Sequence, residues 1–364
     1  MRRRTGSLAL RDVTASPQKR IGLSAGVDVE AALARVALVA SDDERRRHVR
    51  VVEREPISDR AIVRGLVRDP EAVERAVRAA LARAEERADH RADRLVVATS
   101  VDDLRVHRHV WRATRSGDGA VSGAEARRAG ERATRTAARE AIAAVSDEPA
   151  LRRSALVQLQ PLAGRVTVDG KPFVAPGRQR GEVLEVDVVV PVLPLSQSSG
   201  LEAAIAPLGR NTRYVASPVV FGALLAESGI EDVVAVWLGR EVTGVCVVRD
   251  GAPVGARSFS IGAGSFDPRP AGEAAHDAAV WARCVALAAS DAVGDRDLPA
   301  QALVAADPAR ADALATALQG ALSLRQRTGG TRSEPLTQTQ LRNLDADFAL
   351  EIADLVAVAA ASAA

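Results

Sequence analysis

Residues 231–266 read EDVVAVWLGREVTGVCVVRDGAPVGARSFSIGAGSF, and this stretch decides the fold. Val233–Trp237 is a short apolar run, long enough for one buried strand. Val242–Val248 is rich in β-branched residues and is broken only by Gly244 and Cys246. Asp250-Gly251 follows as a hairpin signal, because Gly tolerates the positive φ that such turns need. Val254–Ile261 then returns as a third strand, closed by Gly262-Ala263-Gly264. The pattern predicts a three-stranded antiparallel meander.

Working outward, the 364 residues are 47% hydrophobic, enough for a large core and two or more subdomains. Aromatic residues are only 2%, which argues against stacking on nucleic-acid bases. The formal net charge of +2 implies no particular partner. Cys246 and Cys284 lie in unrelated contexts, so neither a disulfide framework nor a zinc site is expected. No apolar run is long enough to span a bilayer and no apolar leader is evident, so a cytoplasmic chain is expected. Residues 1–19 form a basic arm, with Arg2, Arg3, Arg4 and Arg11 against Asp12. The arm is expected to be disordered, and at most to give peripheral, salt-sensitive attraction to an anionic membrane.

Before the meander, residues 21–27 (IGLSAGV), Arg35–Ala40 and Val49–Arg54 read as strands. Asp69-Pro70 opens a helix to about His90, with Asp69 as its cap. Arg94–Ser100 is a buried-strand pattern. His107, His109 and Trp111 alternate and share one face of a strand. Two histidines at that spacing can bind a metal, but no carboxylate or third histidine is near in sequence, so no metal site is expected. Ser122 and Glu125 form a capping box for a helix to about Val145. Strands follow at Ala155–Leu162, Val166–Lys171 and Gly181–Leu193, then helices at Leu201–Leu208 and Pro218–Ser228. After the meander come a helix at Ala274–Ser290, a strand at Ala302–Ala306, and helices at Pro308–Gly320 and Asp347–Ala363. No Ser-His-Asp set, P-loop or Cys/His cluster offers another catalytic reading.

The order of these elements, with residues 166–194 (VTVDGKPFVAPGRQRGEVLEVDVVVPVLP), resembles the bacterial cell-division protein family FtsA, a branch of the actin-like ATPases. The pilus-assembly family PilM is a related, shorter branch. The resemblance runs from about Arg20 to Ala364. It implies an α/β, actin-like (ribonuclease H-like) fold of two subdomains around a cleft. The expected layout is a first subdomain over residues 20–105 and 181–229, with Gly181–Leu193 in its central sheet. An α+β interaction subdomain is inserted over 106–180, a second subdomain covers 230–340, and a C-terminal helix covers 341–364. The fourth, lid-forming subdomain is expected to be missing or much shortened, since little chain separates Phe266 from Ala274.

The resemblance also implies where nucleotide would sit. The first hairpin of such proteins carries a Gly-Ile-Asp-Ile-Gly type turn, matched here by Gly22-Leu23-Ser24-Ala25-Gly26, with Ser24 in place of the acid. The second carries Asp-x-Gly-x-x-x-Thr, matched by Trp237, Gly239 and Thr243, with Trp237 in place of the acid. Gly262 and Gly264 close that hairpin. The adenosine-packing glycines are replaced by Ala305-Ala306-Asp307. These residues are expected to be a vestigial nucleotide site without ATP, Mg²⁺ or catalysis. The expectation is a non-catalytic scaffold in cell division, or alternatively pilus assembly, or a divergent ATP-binding protein. Cell-division or pilus-assembly proteins, or a second copy of the chain, are the expected partners. The expected docking face is Trp111 with Arg127, Arg128, Arg132 and Arg135, since Trp and Arg are enriched at binding hot spots.

Overall fold

The computed structural model describes residues 22–41, 46–117, 119–148, 151–173, 177–267, 271–294, 296–324 and 331–363. The basic arm at 1–19 lies outside the described residues. The described residues begin with an antiparallel meander of β1 (Leu23–Glu30), β2 (Leu33–Ser41) and β3 (Arg47–Pro56). A small hairpin, β4 (Ile62–Val63) and β5 (Leu66–Val67), leads into helix α1 (Pro70–Arg87). Asp69 caps α1 by accepting from the Ala72 amide, and Val73, Val77, Ala80, Leu81 and Ala84 form its buried stripe, as the spacing predicts. β6 (Arg94–Thr99) follows and returns to the sheet.

The next unit holds β7 (Arg105–Thr114), α2 (Gly123–Ser146), β8 (Leu156–Gln158), β9 (Leu162–Val168), β10 (Lys171–Pro172) and β11 (Val183–Pro194). After it come α3 (Leu195–Ile205), β12 (Thr212–Ala216) and α4 (Ser217–Glu227). The second meander is β13 (Val233–Leu238), β14 (Thr243–Arg249) and β15 (Ala252–Phe259). Asp250 and Gly251 turn β14 into β15 with φ of 51° and 73°. Then come α5 (Ala271–Val293), β16 (Gln301–Ala305), α6 (Pro308–Ser323), β17 (Arg332–Pro335), β18 (Leu344–Ala346) and α7 (Leu355–Ser362).

The two large sheets share one topology. The first has the order β12-β6-β1-β2-β3, extended by β18 at its edge, and the second has β17-β16-β13-β14-β15. In each, three antiparallel strands are followed by two that join in parallel. A helix after each fifth strand crosses to the other half. α4 follows the first sheet and packs on β13, β14 and β15, whereas α7 follows the second and packs on β1, β2 and β6. Both helices are apolar on nearly every side, as a helix buried between layers must be. They also pack on each other, and one buried cluster joins Val96 and Ala98 of the first sheet to Ala235 and Trp237 of the second.

Two expected boundaries shift. Gly181–Leu193 was expected in the first central sheet. Instead β11 pairs antiparallel with β7, β9 and β8, so the inserted unit runs from β7 to the end of β11. The apolar run is misleading because both faces of β11 are covered. Val186, Val188 and Val190 lie beneath α2, while Val189 and Leu193 face the central core. The C-terminal stretch is also not one long helix. β18 pairs with β3, and only Leu355–Ser362 is α-helical, completing the first subdomain. Between β15 and α5 the described residues hold only a 3-10 turn, Ala263–Phe266, where the resemblance places a fourth subdomain.

Candidate functional site: two facing hairpin turns

The tip of the first hairpin lies at Ala31-Ala32, because Glu30 pairs with Leu33. Ser24 pairs with Val39 at the opposite end of the hairpin. Gly22 precedes β1, and a side chain there would meet nothing nearer than Asp93 at 3.9 Å. The expected placement of Gly22 and Ser24 in the turn is therefore wrong. Gly26 has a packing role instead: a Cβ there would lie 1.9 Å from the Ala357 carbonyl oxygen of α7.

The turn pattern fits four residues further on, as Gly26-Val27-Asp28-Val29-Glu30. The acid is present after all, as Asp28. It was hidden because Glu30 stands where the second glycine of the pattern belongs, and because no glycine marks the Ala31-Ala32 turn. Asp28 is buried beside Arg35, whose Nη1 lies 3.3 Å from its carboxylate and 2.5 Å from that of Glu30. Burial first, and repulsion from Glu30 second, push the Asp28 carboxyl up to about 8 despite Arg35. Arg54 in turn binds Asp354, fully buried at the start of α7, at 3.0 and 2.5 Å.

The second turn covers residues 239–242, since Leu238 pairs with Thr243. Trp237 is buried in the cluster with Val96, Ala98, Phe221 and Leu355. Its indole would lie 2.6 Å from a Cβ at Gly239, so that glycine is required by close packing. Thr243 is fully buried and its hydroxyl is committed twice. It donates to the Ile261 carbonyl and accepts from Trp281 Nε1 at 2.9 Å. Thr243→Val would strand the buried indole N–H and should cost about 1–3 kcal/mol in chemical denaturation. Residues 262–264 lace the turn from outside. Ala263 N–H donates to Gly239 O and Gly264 N–H to Arg240 O, each at 2.8 Å, and a Cβ at Gly262 would strike the Arg240 backbone at 2.5 Å.

The two turns meet. The Arg240 amide donates to Glu30 Oε1 at 3.0 Å, so a carboxylate from the first half sits on the backbone of the second turn. Further links cross the same seam. Arg64 N–H donates to Glu241 at 2.5 Å, Ser260 to the Asp102 carboxylate, and Ser258 to the Val101 carbonyl. Ala305 ends β16 buried, Ala306 just past it is buried too, and Asp307 caps α6 by accepting from the Ala309 amide at 2.8 Å. Glu30, Asp28 and Arg35 are the residues sequence reasoning missed.

In the inserted unit, Ser122 caps α2 by accepting from the Glu125 amide at 3.1 Å. Glu125 does not complete the capping box. Its carboxylate binds Arg115 at 2.7 Å. α2 buries Ala129, Ala133, Ala137, Ala141 and Val145, and the alanine stripe lets it lie close on the sheet. Arg127, Arg128, Arg132 and Arg135 are exposed on it. Trp111 is only partly exposed and packs against the core beneath α2, so it is part of the unit's interior and not a companion of the arginines on an open face.

No protein-family model and no curated protein matches the chain. Among solved structures, it is similar to a chain of the PilM-PilN type IV pilus biogenesis complex. The match is 15% identical, covers 93% of this chain and 96% of that one, and has a TM-score of 0.56. It is also similar to the ethanolamine utilization protein EutJ from Carboxydothermus hydrogenoformans, at 14% identity over 94% of this chain and 90% of that one, with a TM-score of 0.42. The ROK hexokinase from Thermus thermophilus is 13% identical over 94% and 97%, with a TM-score of 0.38. The paired sheets, the exchanged helices and the whole-length match establish an actin-like ATPase fold.

Proposed function

We propose that this chain is a non-catalytic actin-like scaffold that works by protein-protein docking. The observation that carries this reading is the Glu30 carboxylate on the Arg240 amide. In this fold, backbone amides of the second turn are the natural phosphate donors. Here an internal anion takes that place. The Thr243 hydroxyl already gives its proton to Ile261 and one lone pair to Trp281, and Asp28 is buried with its carboxyl pushed up to about 8, a poor start for holding Mg²⁺. These residues do not fit a bound Mg-nucleotide. Phosphoryl transfer is mostly positioning and electrostatics, and little of either is left for it.

The whole-length likeness to PilM in its complex with PilN favours pilus assembly over cell division as the setting. The partner would then be a pilus-assembly protein reached from the cytoplasm. No helix among the described residues is long and apolar enough to cross a membrane. The exposed Arg127, Arg128, Arg132 and Arg135 suit an acidic protein surface. Calorimetric titration of the full chain with Mg-ATP is expected to show no binding. Micromolar affinity would overturn the scaffold reading in favour of a divergent ATP-binding protein.

A further inference from the structure

The face of β7 beneath α2 carries His107 and His109, two residues apart, opposite Val190 and Val188 of β11. Their rings are 6.4 Å apart between centroids and tilted by 39°. α2 crosses above them and supplies a carboxylate that sequence spacing does not reveal. His109 Nδ1 lies 3.0 Å from Glu140 Oε2. One ligand atom from each of His107, His109 and Glu140 can be chosen so that all three lie within 4.8 Å of one another.

His107 is the informative member. Its Nε2 is buried and has no hydrogen-bond partner among the described residues, and a buried polar atom left unmatched has a cost. Two imidazoles and one carboxylate are a donor set suited to a borderline divalent cation. In a tetrahedral zinc site, bonds of about 2.0–2.1 Å put ligand atoms roughly 3.3–3.5 Å apart. The widest separation, up to 4.8 Å, needs to close by up to roughly 1.5 Å, through rotation of the imidazoles together with that of Glu140, which is largely exposed.

We propose that His107, His109 and Glu140 form a binding site for a zinc-class divalent cation. The cation would fasten α2 to the edge strand β7 of the inserted unit. Three protein ligands leave a fourth position open, so the site could also accept a side chain from a docked protein. The inference stands apart from the nucleotide question, since no residue of the two hairpin turns takes part.

The test is Zn²⁺ titration of the full chain, free of any affinity tag, with Co²⁺ as the spectroscopic probe. One equivalent is expected to bind, with tetrahedral Co²⁺ absorption and a raised melting temperature. Combined His107→Ala and His109→Ala substitution should abolish the stoichiometric site, and Glu140→Gln should weaken it at least tenfold. His48→Ala and His276→Ala should leave it intact. Melting without metal shows whether each variant is folded. Should a histidine variant not fold, Glu140→Gln, exposed and on the helix surface, still decides. Absence of a stoichiometric site, or uptake unchanged by Glu140→Gln or the His107/His109 pair, would overturn the proposal.

Discussion

Gly26→Val is expected to leave little folded protein. The Cβ it adds would lie 1.9 Å from Ala357 O, 2.4 Å from Ala361 N and 2.9 Å from Ala361 Cβ. Two of those atoms belong to helix backbone, so no rotamer change relieves the contact. α7 would have to lift from β1, exposing Leu355, Val356 and Val358, all fully or almost fully buried. Overpacking in a core typically costs about 1–3 kcal/mol, and displacing a helix adds its lost burial. A loss of about 4 kcal/mol or more is a large share of the stability of any domain. Urea denaturation of any soluble fraction checks this, and an unchanged midpoint would mean that the close approach of α7 to β1 is wrong. Gly22→Val, with open space at 3.9 Å, is the control and should have little effect.

Asp28→Asn should stabilise the protein, and more so as pH rises. The Asp28 carboxyl titrates near 3.8 in an unfolded chain and is pushed up to about 8 by burial in the folded one. Between those values the folded state holds a proton that the unfolded state has released. Stability from this group is therefore complete below about pH 4 and is lost as pH climbs through about 8. Asparagine mimics the protonated acid and does not titrate. Arg35 keeps Glu30 as its partner at 2.5 Å in the variant. The gain should be near zero at about pH 4 and on the order of a few kcal/mol at about pH 8. Denaturation midpoints of both proteins across that range are the measurement. A constant difference at every pH would show that Asp28 is ionised in the folded state.

Much of the fold was legible because local signals and tertiary demands agree. The Asp250-Gly251 turn, the Asp69-Pro70 helix start and the β13–β15 meander all stand as their residues predict. The misreading of β11 has a physical source, which is burial on two sides. β11 is apolar throughout because α2 covers one face and the central core the other, so nothing in its sequence assigns it to a sheet. The site was half legible. Trp237, Gly239 and Thr243 do shape the second turn. The first turn was misplaced because Glu30 stands where the pattern's second glycine belongs and no glycine marks the Ala31-Ala32 turn. Asp28 and Glu30 are partners of Arg35 and of a backbone amide more than two hundred residues away. Glu140 likewise meets His109 only once α2 lies across β7.

The exchange of α4 and α7 has a consequence for how the chain is made. On the ribosome β1, β2 and β3 emerge long before α7, yet α7 covers one face of their sheet. Arg54 of β3 and its buried partner Asp354 are 300 residues apart. Until synthesis reaches that helix, a face bearing Ala37 and Val39 stays open to water and to other nascent chains. The first half therefore cannot finish folding ahead of the second, although domains commonly fold in order of emergence. Closure over so long a separation is slow, and the exposed interval invites capture by a chaperone. Shortened chains that stop before Leu355 are accordingly expected to aggregate, even though every described strand of both sheets is already present.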